Sequence, residues 1–339
     1  MALQTSGAIS LANIQTEFGG ANPISISEYY GSDTVPTSGT ISFSHFYGTS
    51  NATWYGSRGI FTGGIENGTV YTNRIDYVTI GSTGNAGDFG NLTVARGYVG
   101  SSSNGSRGIT SGGKAAGHVV VNNMDYVTIA SAGNAIDFGD ANLLAEYASC
   151  SNGIRGLSAG GRDSSASVAI SYVTIATTGN AVSFGNLLRA RILLGACANG
   201  SRAVFAGGVT DGFVALNNIG YVSPASTGNA VDFGNTAVNR GQWAGASSDT
   251  RGVFGGYGTG IEYITIATTG NAASFGSLIT SLYRPGATSN GSRALFAGGY
   301  SSSTYRNVIE YITIATTGNA IDFGNLVSAK HGLAGCSGA

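Results

Sequence analysis

Apolar residues along this chain fall in short β-branched or aromatic runs, each bounded by Gly, Asn or Ser. Within residues 98–140 four such runs follow one another: YVGSSS, RGITSGG, NMDYVTIA and AIDFGD. Short runs of this composition, punctuated by turn residues, predict strands. Runs such as IDYVTI are largely apolar on both faces, which predicts strands covered on both sides, as between stacked sheets.

The runs recur as a unit. Arg58, Arg107, Arg155, Arg202, Arg251 and Arg293 each open a short run ending in Gly-Gly, and successive arginines stand 49, 48, 47, 49 and 42 residues apart. A variable stretch follows each Gly-Gly. Then come a Tyr-containing β run and a Gly-Asn-Ala turn at Asn85, Asn134, Asn180, Asn229, Asn271 and Asn319. Each copy ends in Phe-Gly, at Phe89, Phe138, Phe184, Phe233, Phe275 and Phe323. Four short antiparallel strands at this period describe a propeller blade. A solenoid would need distinct capping repeats, and the last copy shows none. The expectation is an all-β, six-bladed β-propeller of four-stranded antiparallel blades over residues 49–339, behind an N-terminal segment, 1–48, with short helical turns. Two stretches compete for the first strand of the first blade: the C-terminal strand after Leu326, or residues 49–57.

Composition sharpens this. Glycine is very high, at 56 of 339 residues, but 17 Tyr and 14 Phe accompany it. Disordered chains lack aromatic and β-branched residues, so the glycines read as turn and close-packing positions. Formal net charge is -1, which offers no basic excess for nucleic acid. No charged, then apolar, leader is visible at the N-terminus, and no run approaches the ~18 apolar residues of a membrane span; the expectation is a soluble product made in a cytoplasm, without membrane insertion. Cys150, Cys197 and Cys336 are odd in number and read as small buried hydrophobes rather than a disulfide framework.

The order Arg, β-Gly-Gly, variable loop, Tyr-containing β run, turn and aromatic resembles the kelch repeat, whose period is about 50. The resemblance covers residues 50–339 and implies a kelch-like propeller. It departs at the second aromatic, which is Phe here where kelch repeats usually have Trp. Fold of this kind does not fix function.

Three related pieces precede the repeats: ISLANIQTEFGG, ISISEYYG and ISFSHFYG. Ser10 is placed to cap a short helix with Leu11, Ile14 and Phe18 on one face, stopped by Gly19. Ser27 and Ser44 are the expected caps of two single turns ending at Gly31 and Gly48. Pieces this small are not expected to build a core alone, so Leu11, Ile14, Phe18, Tyr29, Tyr30, Phe46 and Tyr47 are the candidate attachment residues, docking either on another protein or on the propeller. The stretch MALQTSGAISLANIQTEFGGANPISISEYYG closely resembles the N-terminal stretch of tail-associated or fibre-like structural proteins of tailed bacteriophages. That resemblance implies a shared anchor carrying an exchangeable module. The protein would then be a virion component made in the host bacterial cytoplasm, its partners other virion proteins.

Candidate chemistry is thin. His45, His118 and His331 are isolated and lack ligand spacing, and no metal or other cofactor is expected. The repeated acids Asp76, Asp125, Glu262 and Glu310 share one strand position, which marks structure: each should pair with a turn or an Arg. The repeated arginines read the same way. Asn104 and Asn199, though in glycosylation-type sequons, read as turn residues, and no Gly-rich run is followed by the Lys-Ser/Thr of a phosphate-binding loop. What varies after Gly-Gly is more informative: Glu66, Asn67 and Tyr71, then Lys114 and His118, Arg162 and Asp163, Asp211 and Phe213, Tyr257, and finally Tyr300, Tyr305 and Arg306. These loops should share one rim and suit recognition, including stacking on sugars; Trp243 and Tyr283 join them near the connections between blades. The leading expectation is a non-enzymatic phage virion protein, tail- or fibre-associated, that recognises host-surface glycan or protein. The rivals are a capsid or tail decoration protein without host binding and a polysaccharide-acting enzyme.

Overall fold

A computed structural model describes residues 3, 8–18, 20, 25–29, 39–46 and 55–338. The chain divides into two compact units, Met1–Thr53 and Trp54–Ala339. The larger unit is a six-bladed β-propeller, each blade a four-stranded antiparallel sheet. In the second blade the strands are Gly100–Ser103, Arg107–Ser111, Asn123–Thr128 and Ile136–Asp140, within two residues of the runs read from the sequence at their ends nearest the strand cores.

The innermost strands are Gly100–Ser103, Ala148–Ser151, Gly195–Ala198, Trp243–Ser247, Gly286–Ser289 and Ala334–Gly338. Each touches the inner strands of both neighbouring blades, so the ring is continuous. They consist almost wholly of Gly, Ala, Ser, Thr and Cys because six strands converge on one axis. A Cβ on Gly100 would lie 2.1 Å from the Ser149 hydroxyl, and one on Gly245 would lie 2.2 Å from the Ala196 carbonyl. The C-terminal strand supplies the inner strand of the first blade: Ala334–Gly338 pairs with Arg58–Thr62, Cys336 opposite Ile60. Of the competing stretch, 49–54 lies outside the described residues; Tyr55 donates a 2.7 Å hydrogen bond to Asp249 instead of joining the blade. Closure by the chain end removes the two open edges that a linear array of sheets would expose.

One junction repeats at every blade boundary. The outer strand ends in Phe-Gly, and its backbone bonds to the Gly-Asn-Ala turn of the next blade. Gly133 N–H donates to Phe89 O, Ala135 N–H to Asn91 O, and the Asn134 side chain accepts from Asn91 N–H. The equivalent asparagine bonds form at Asn180, Asn229, Asn271, Asn319 and, across the closing seam, Asn85. The glycine of Phe-Gly is required by this approach. At the seam Gly324 has φ +147°, and a Cβ there would meet the Gly84 carbonyl at 2.3 Å. The outer strand's free edge is thereby occupied by the neighbouring turn.

The repeated arginine is a second staple. Arg107 stacks over Tyr126 of its own blade at 4.3 Å and donates to the Ile175 and Ala176 carbonyls of the next. Arg293 does the same across the seam, over Tyr311 and to Ile80 and Gly81. In every blade this tyrosine meets the Phe-Gly phenylalanine edge to face, with centroids 5.8–6.0 Å apart, an arrangement favoured by the ring quadrupoles.

The repeated acids hold the connection arriving from the preceding blade. Asp125 accepts from Thr93 and from buried Arg96 at 2.8 Å. Glu310 accepts from the Ile279 and Thr280 N–H groups, and Glu262 from Ala237 N–H. Asp76 pairs at 3.0 Å with Lys330, both fully buried, across the closing seam. Burial pushes the Asp76 carboxyl up and the Lys330 ammonium down, against their mutual attraction. Blade four has Gly220 at this position, and the Arg191 Nε and Nη1 groups donate to carbonyls, those of Gly207 and Asn218 among them, while buried Nη2 has no partner among the described residues. Cys150, Cys197 and Cys336 are free and buried at equivalent inner-strand positions; burial pushes the Cys150 and Cys336 thiols up to about 12. They pack as small hydrophobes, the Cys336 sulfur 3.1 Å from where a Cβ on Gly108 would sit.

The N-terminal unit contains the helix Leu11–Phe18 and single turns at Ile26–Tyr29 and Phe43–Phe46. The three pieces are capped alike. The backbone N–H groups of Ser10, Ser25 and Ser42 donate to Asn13 Oδ1, Glu28 Oε1 and His45 Nδ1, each three residues on. This is the return half of a capping box, and it corrects the expected caps: the turns begin one residue after Ser25 and Ser42, so Ser27 and Ser44 lie inside them. A second expectation is also corrected. Leu3, Ile14, Tyr29 and Phe46 are buried against one another, with Leu11 and Phe18 packed at the margin; three pieces together build the small core that one could not. Tyr30, Gly31, Tyr47 and Gly48 lie outside the described residues.

The junction predicts a paired result. Gly324→Ala should lose roughly 2–4 kcal/mol of stability, from strained φ and a backbone clash. Gly84→Ala, whose Cβ would meet nothing within 4 Å, should stay within about 0.5 kcal/mol of the parent. Urea unfolding of the two variants measures both.

Candidate functional site

In five blades the loop after Gly-Gly folds back onto the connection that enters its own blade. Single bridges join Gly97 to Lys114, Ala145 to Arg162, Ile192 to Val209, Tyr283 to Tyr300 and His331 to Ile65. The variable loops and the blade connections therefore share one face of the propeller.

At the axis of that face the backbone forms a closed ring. Tyr98 N–H donates to Gly332 O, Glu146 to Tyr98, Leu193 to Glu146, Gln242 to Leu193, Arg284 to Gln242, and Gly332 to Arg284, at 2.6–3.2 Å. All six residues are left-handed, with φ between 55° and 63°. Only Gly332 is a glycine. The other five carry side chains in a conformation that costs an L-residue roughly 1–2 kcal/mol, and these side chains line the axial mouth together with Val99, Tyr147, Leu194, Trp243, Pro285 and Leu333.

Two groups of side chains surround the mouth. On one side Glu146 is held by Lys114 at 2.8 Å and by Arg162 at 2.9 Å. Arg162 lies over the Phe213 ring, and Lys114 over the Tyr98 ring at 5.5 Å. On the other side Arg284 donates to the Tyr98 hydroxyl and, at 3.1 Å, to Gln242 Oε1, which also accepts from the Tyr300 hydroxyl. Tyr300 stacks on Tyr283 with centroids 5.2 Å apart, and Tyr257 meets Tyr283 at 5.4 Å. His331 sits beneath, in ring contact with Tyr98, Tyr300 and Tyr305.

Blade five gives this side an opening. Its second and third strands, Arg251–Gly256 and Gly258–Thr265, are joined through Tyr257 alone, where other blades have a loop. That deletion is the 42-residue step in the repeat. Tyr257, at φ 52° between two left-handed glycines, is 40% exposed on the lowered rim.

The structure therefore brings together Lys114, Arg162 and Phe213 on one side and Tyr257, Tyr300 and Tyr305 on the other. It buries Tyr71, within electrostatic reach of Tyr98 and Glu146. The Tyr71 hydroxyl lies 2.7 Å from Nδ1 of exposed His118, and burial pushes the phenol up to about 12. Asp211 accepts twice from Ala166 N–H and so ties two loops together, whereas Asp163 is exposed. Arg306 is half-buried in the last loop. Trp243 is buried, its ring against Phe254 and its N–H donating to Ala206 O, so it forms the inner wall of the mouth rather than its exposed rim. Sequence reading missed Tyr98, Glu146, Gln242 and Arg284. Their signal was one repeat position, just before each inner strand, where bulky polar residues replace one another freely.

His331 has a defined role in this packing. Its Nδ1 faces Ile65 O and its Nε2 faces the Tyr98 hydroxyl, each at 3.3 Å, which suits a neutral ring donating through Nδ1 and accepting at Nε2. Burial, helped by the Arg284 charge, lowers its pKa from 6.5 to about 4. Because the folded value is depressed, the stability it contributes is complete above the unfolded value and is lost as pH falls from about 6.5 towards about 4, to at most roughly 3 kcal/mol. Urea unfolding at pH 7 and pH 4.5 should show this loss in the parent chain, and a smaller loss in His331→Gln.

No protein-family model matches the chain, and no curated protein compared with it matches either.

Proposed function

We propose that this chain is a non-enzymatic bacteriophage virion protein, tail- or fibre-associated, whose propeller is a divergent kelch-like module that recognises the host surface. The N-terminal unit is its anchor to other virion proteins, a reading that rests on the resemblance of residues 1–31 to phage structural proteins. The observation that carries recognition is the axial ring. Five side chains are held at left-handed positions where glycine would serve the architecture better, and strain of this kind gathers at functional sites. The side chains so placed are Tyr98, Glu146, Leu193, Gln242 and Arg284, beside the exposed Tyr257, and tyrosine and arginine are enriched at recognition surfaces.

Three acids of this face, Glu146, Asp211 and Glu66, are committed to structure, whereas Asp163 stands exposed in its loop, and this commitment supports a binding module over an enzyme. Glu146 is saturated by two cations, Asp211 caps Ala166, and Glu66 accepts from Ser328 at 2.6 Å. A glycoside hydrolase needs two carboxyl groups facing one bond. Among the described residues no group of three or more His, Cys, Asp or Glu could hold a metal ion.

Antibody raised to the propeller should label the tail or its fibres on purified phage particles in electron micrographs. Label across the head would move the protein to capsid decoration, and absence of label from every particle would overturn the virion reading. In the same preparation, loss of a polysaccharide-degrading activity on substituting Asp163 or Asp211 would overturn the non-enzymatic assignment.

A further inference from the structure

The mouth is chemically one-sided. Its acceptors are spent: Gln242 Oε1 takes two donors, the Tyr98 hydroxyl takes Arg284, and Glu146 faces Lys114 and Arg162. Donors remain. No described residue accepts from the Gln242 amide nitrogen or from Arg284 Nη2. Two cations, Lys114 and Arg162, pair with the Glu146 carboxylate, and a third, Arg284, lines the other side of the mouth with no carboxylate on it. A ligand fitting such a surface brings acceptors and negative charge.

The backbone narrows the class further. All six N–H groups and all six carbonyls of the axial ring are used in closing it. A peptide therefore has no main chain to pair with at the mouth, which removes strand addition as a mode of capture. Recognition there falls to side chains. From Arg284 the row Tyr300, Tyr283, Tyr257 leads outward to the notch left by the short hairpin of blade five. Planar donors at one end and an exposed aromatic ring at the other match a sugar, whose carboxylate takes two parallel hydrogen bonds and whose C–H face packs on a ring.

We infer that the axial mouth binds a carboxylate-bearing saccharide, with Arg284 and the Gln242 amide on the carboxylate and Tyr257 against the following sugar. This rests on the surface-recognition reading above and names the ligand class for it. The ligand enters over blade five, where the rim is lowest. Lys114 and Arg162 hold Glu146 away from the carboxylate and keep the mouth positive. The closed backbone ring fixes Gln242 and Arg284 before the ligand arrives, so little ordering cost accompanies binding.

The test uses the full chain and surface polysaccharide purified from the host bacterium, in native form and after chemical reduction of its carboxyl groups to alcohols. Calorimetry should show binding to the native polymer and at least tenfold weaker binding to the reduced one. Gln242→Glu is the decisive variant. It keeps the shape and both acceptor bonds while replacing the free donor with a negative charge, so affinity should fall tenfold or more with the melting temperature unchanged or raised. Tyr257→Ala, on an exposed turn, should weaken binding several-fold without unfolding the protein. Equal affinity for native and reduced polymer, or full affinity in a folded Gln242→Glu, would overturn the inference while surface recognition stands. Binding to whole host cells but to neither polymer would also overturn it, in favour of a protein receptor. Binding to neither cells nor polymer would overturn both the inference and the recognition reading.

Discussion

The structure depends on one contact repeated around a circle: the outer strand of each blade pairing with the Gly-Asn-Ala turn of the next. Phe-Gly brings the strand in, its glycine allows carbonyl and Cα to approach without a Cβ between them, and the asparagine side chain accepts the N–H that the turn cannot satisfy. Each hydrogen bond is worth only about 1 kcal/mol net. Their value lies in geometry. They fix the angle between blades, and six equal angles close a ring. They also cover the outer edges that would otherwise invite pairing with other chains. The seam between the last blade and the first uses the same asparagine, arginine and glycine as every other boundary.

Closure sets the terms for everything nearer the axis. Six inner strands meeting in so little space must be built from small residues, and the connections entering them turn sharply. At that turn each chain segment adopts a left-handed residue whose backbone bonds to its two neighbours. The architecture thus supplies six rigid, strained positions around one opening, and the chain spends five of them on side chains. Blade five then differs from its siblings by losing its loop, which lowers the rim beside Arg284 and Gln242. A symmetric frame with one irregular blade yields a mouth with a direction.

Much of this was legible in the sequence because repetition amplifies structural signals. Six copies of Arg, Gly-Gly, Gly-Asn-Ala and Phe-Gly gave the blade, its strands and the structural reading of the repeated acids, which the Asp125–Arg96 and Asp76–Lys330 pairs bear out. The mouth was harder to see for the converse reason. Tyr98, Glu146, Gln242 and Arg284 share a position, not a residue type, and nothing local marks it as left-handed, since glycine stands there only at Gly332. Sequence reading favoured the visibly variable loops instead. It found Lys114, Arg162 and the tyrosines, which are the second layer around the mouth, and counted Trp243, which the inner-strand packing buries. The N-terminal pieces were legible one at a time; that they bury Ile14, Tyr29 and Phe46 against each other depends on a fold that spacing does not reveal.

Closure by the C-terminal strand is the most direct point of attack on this account. Hydrogen exchange of the full chain, compared with a chain ending at Leu333, measures it. The account predicts that removing Ala334–Gly338 strips protection from Arg58–Thr62 and from the axial ring at Tyr98 and Arg284, while strands of blades three and four, opposite the seam, stay more protected. Unchanged protection of Arg58–Thr62 in the shortened chain would contradict it, because another segment would then be completing the first blade.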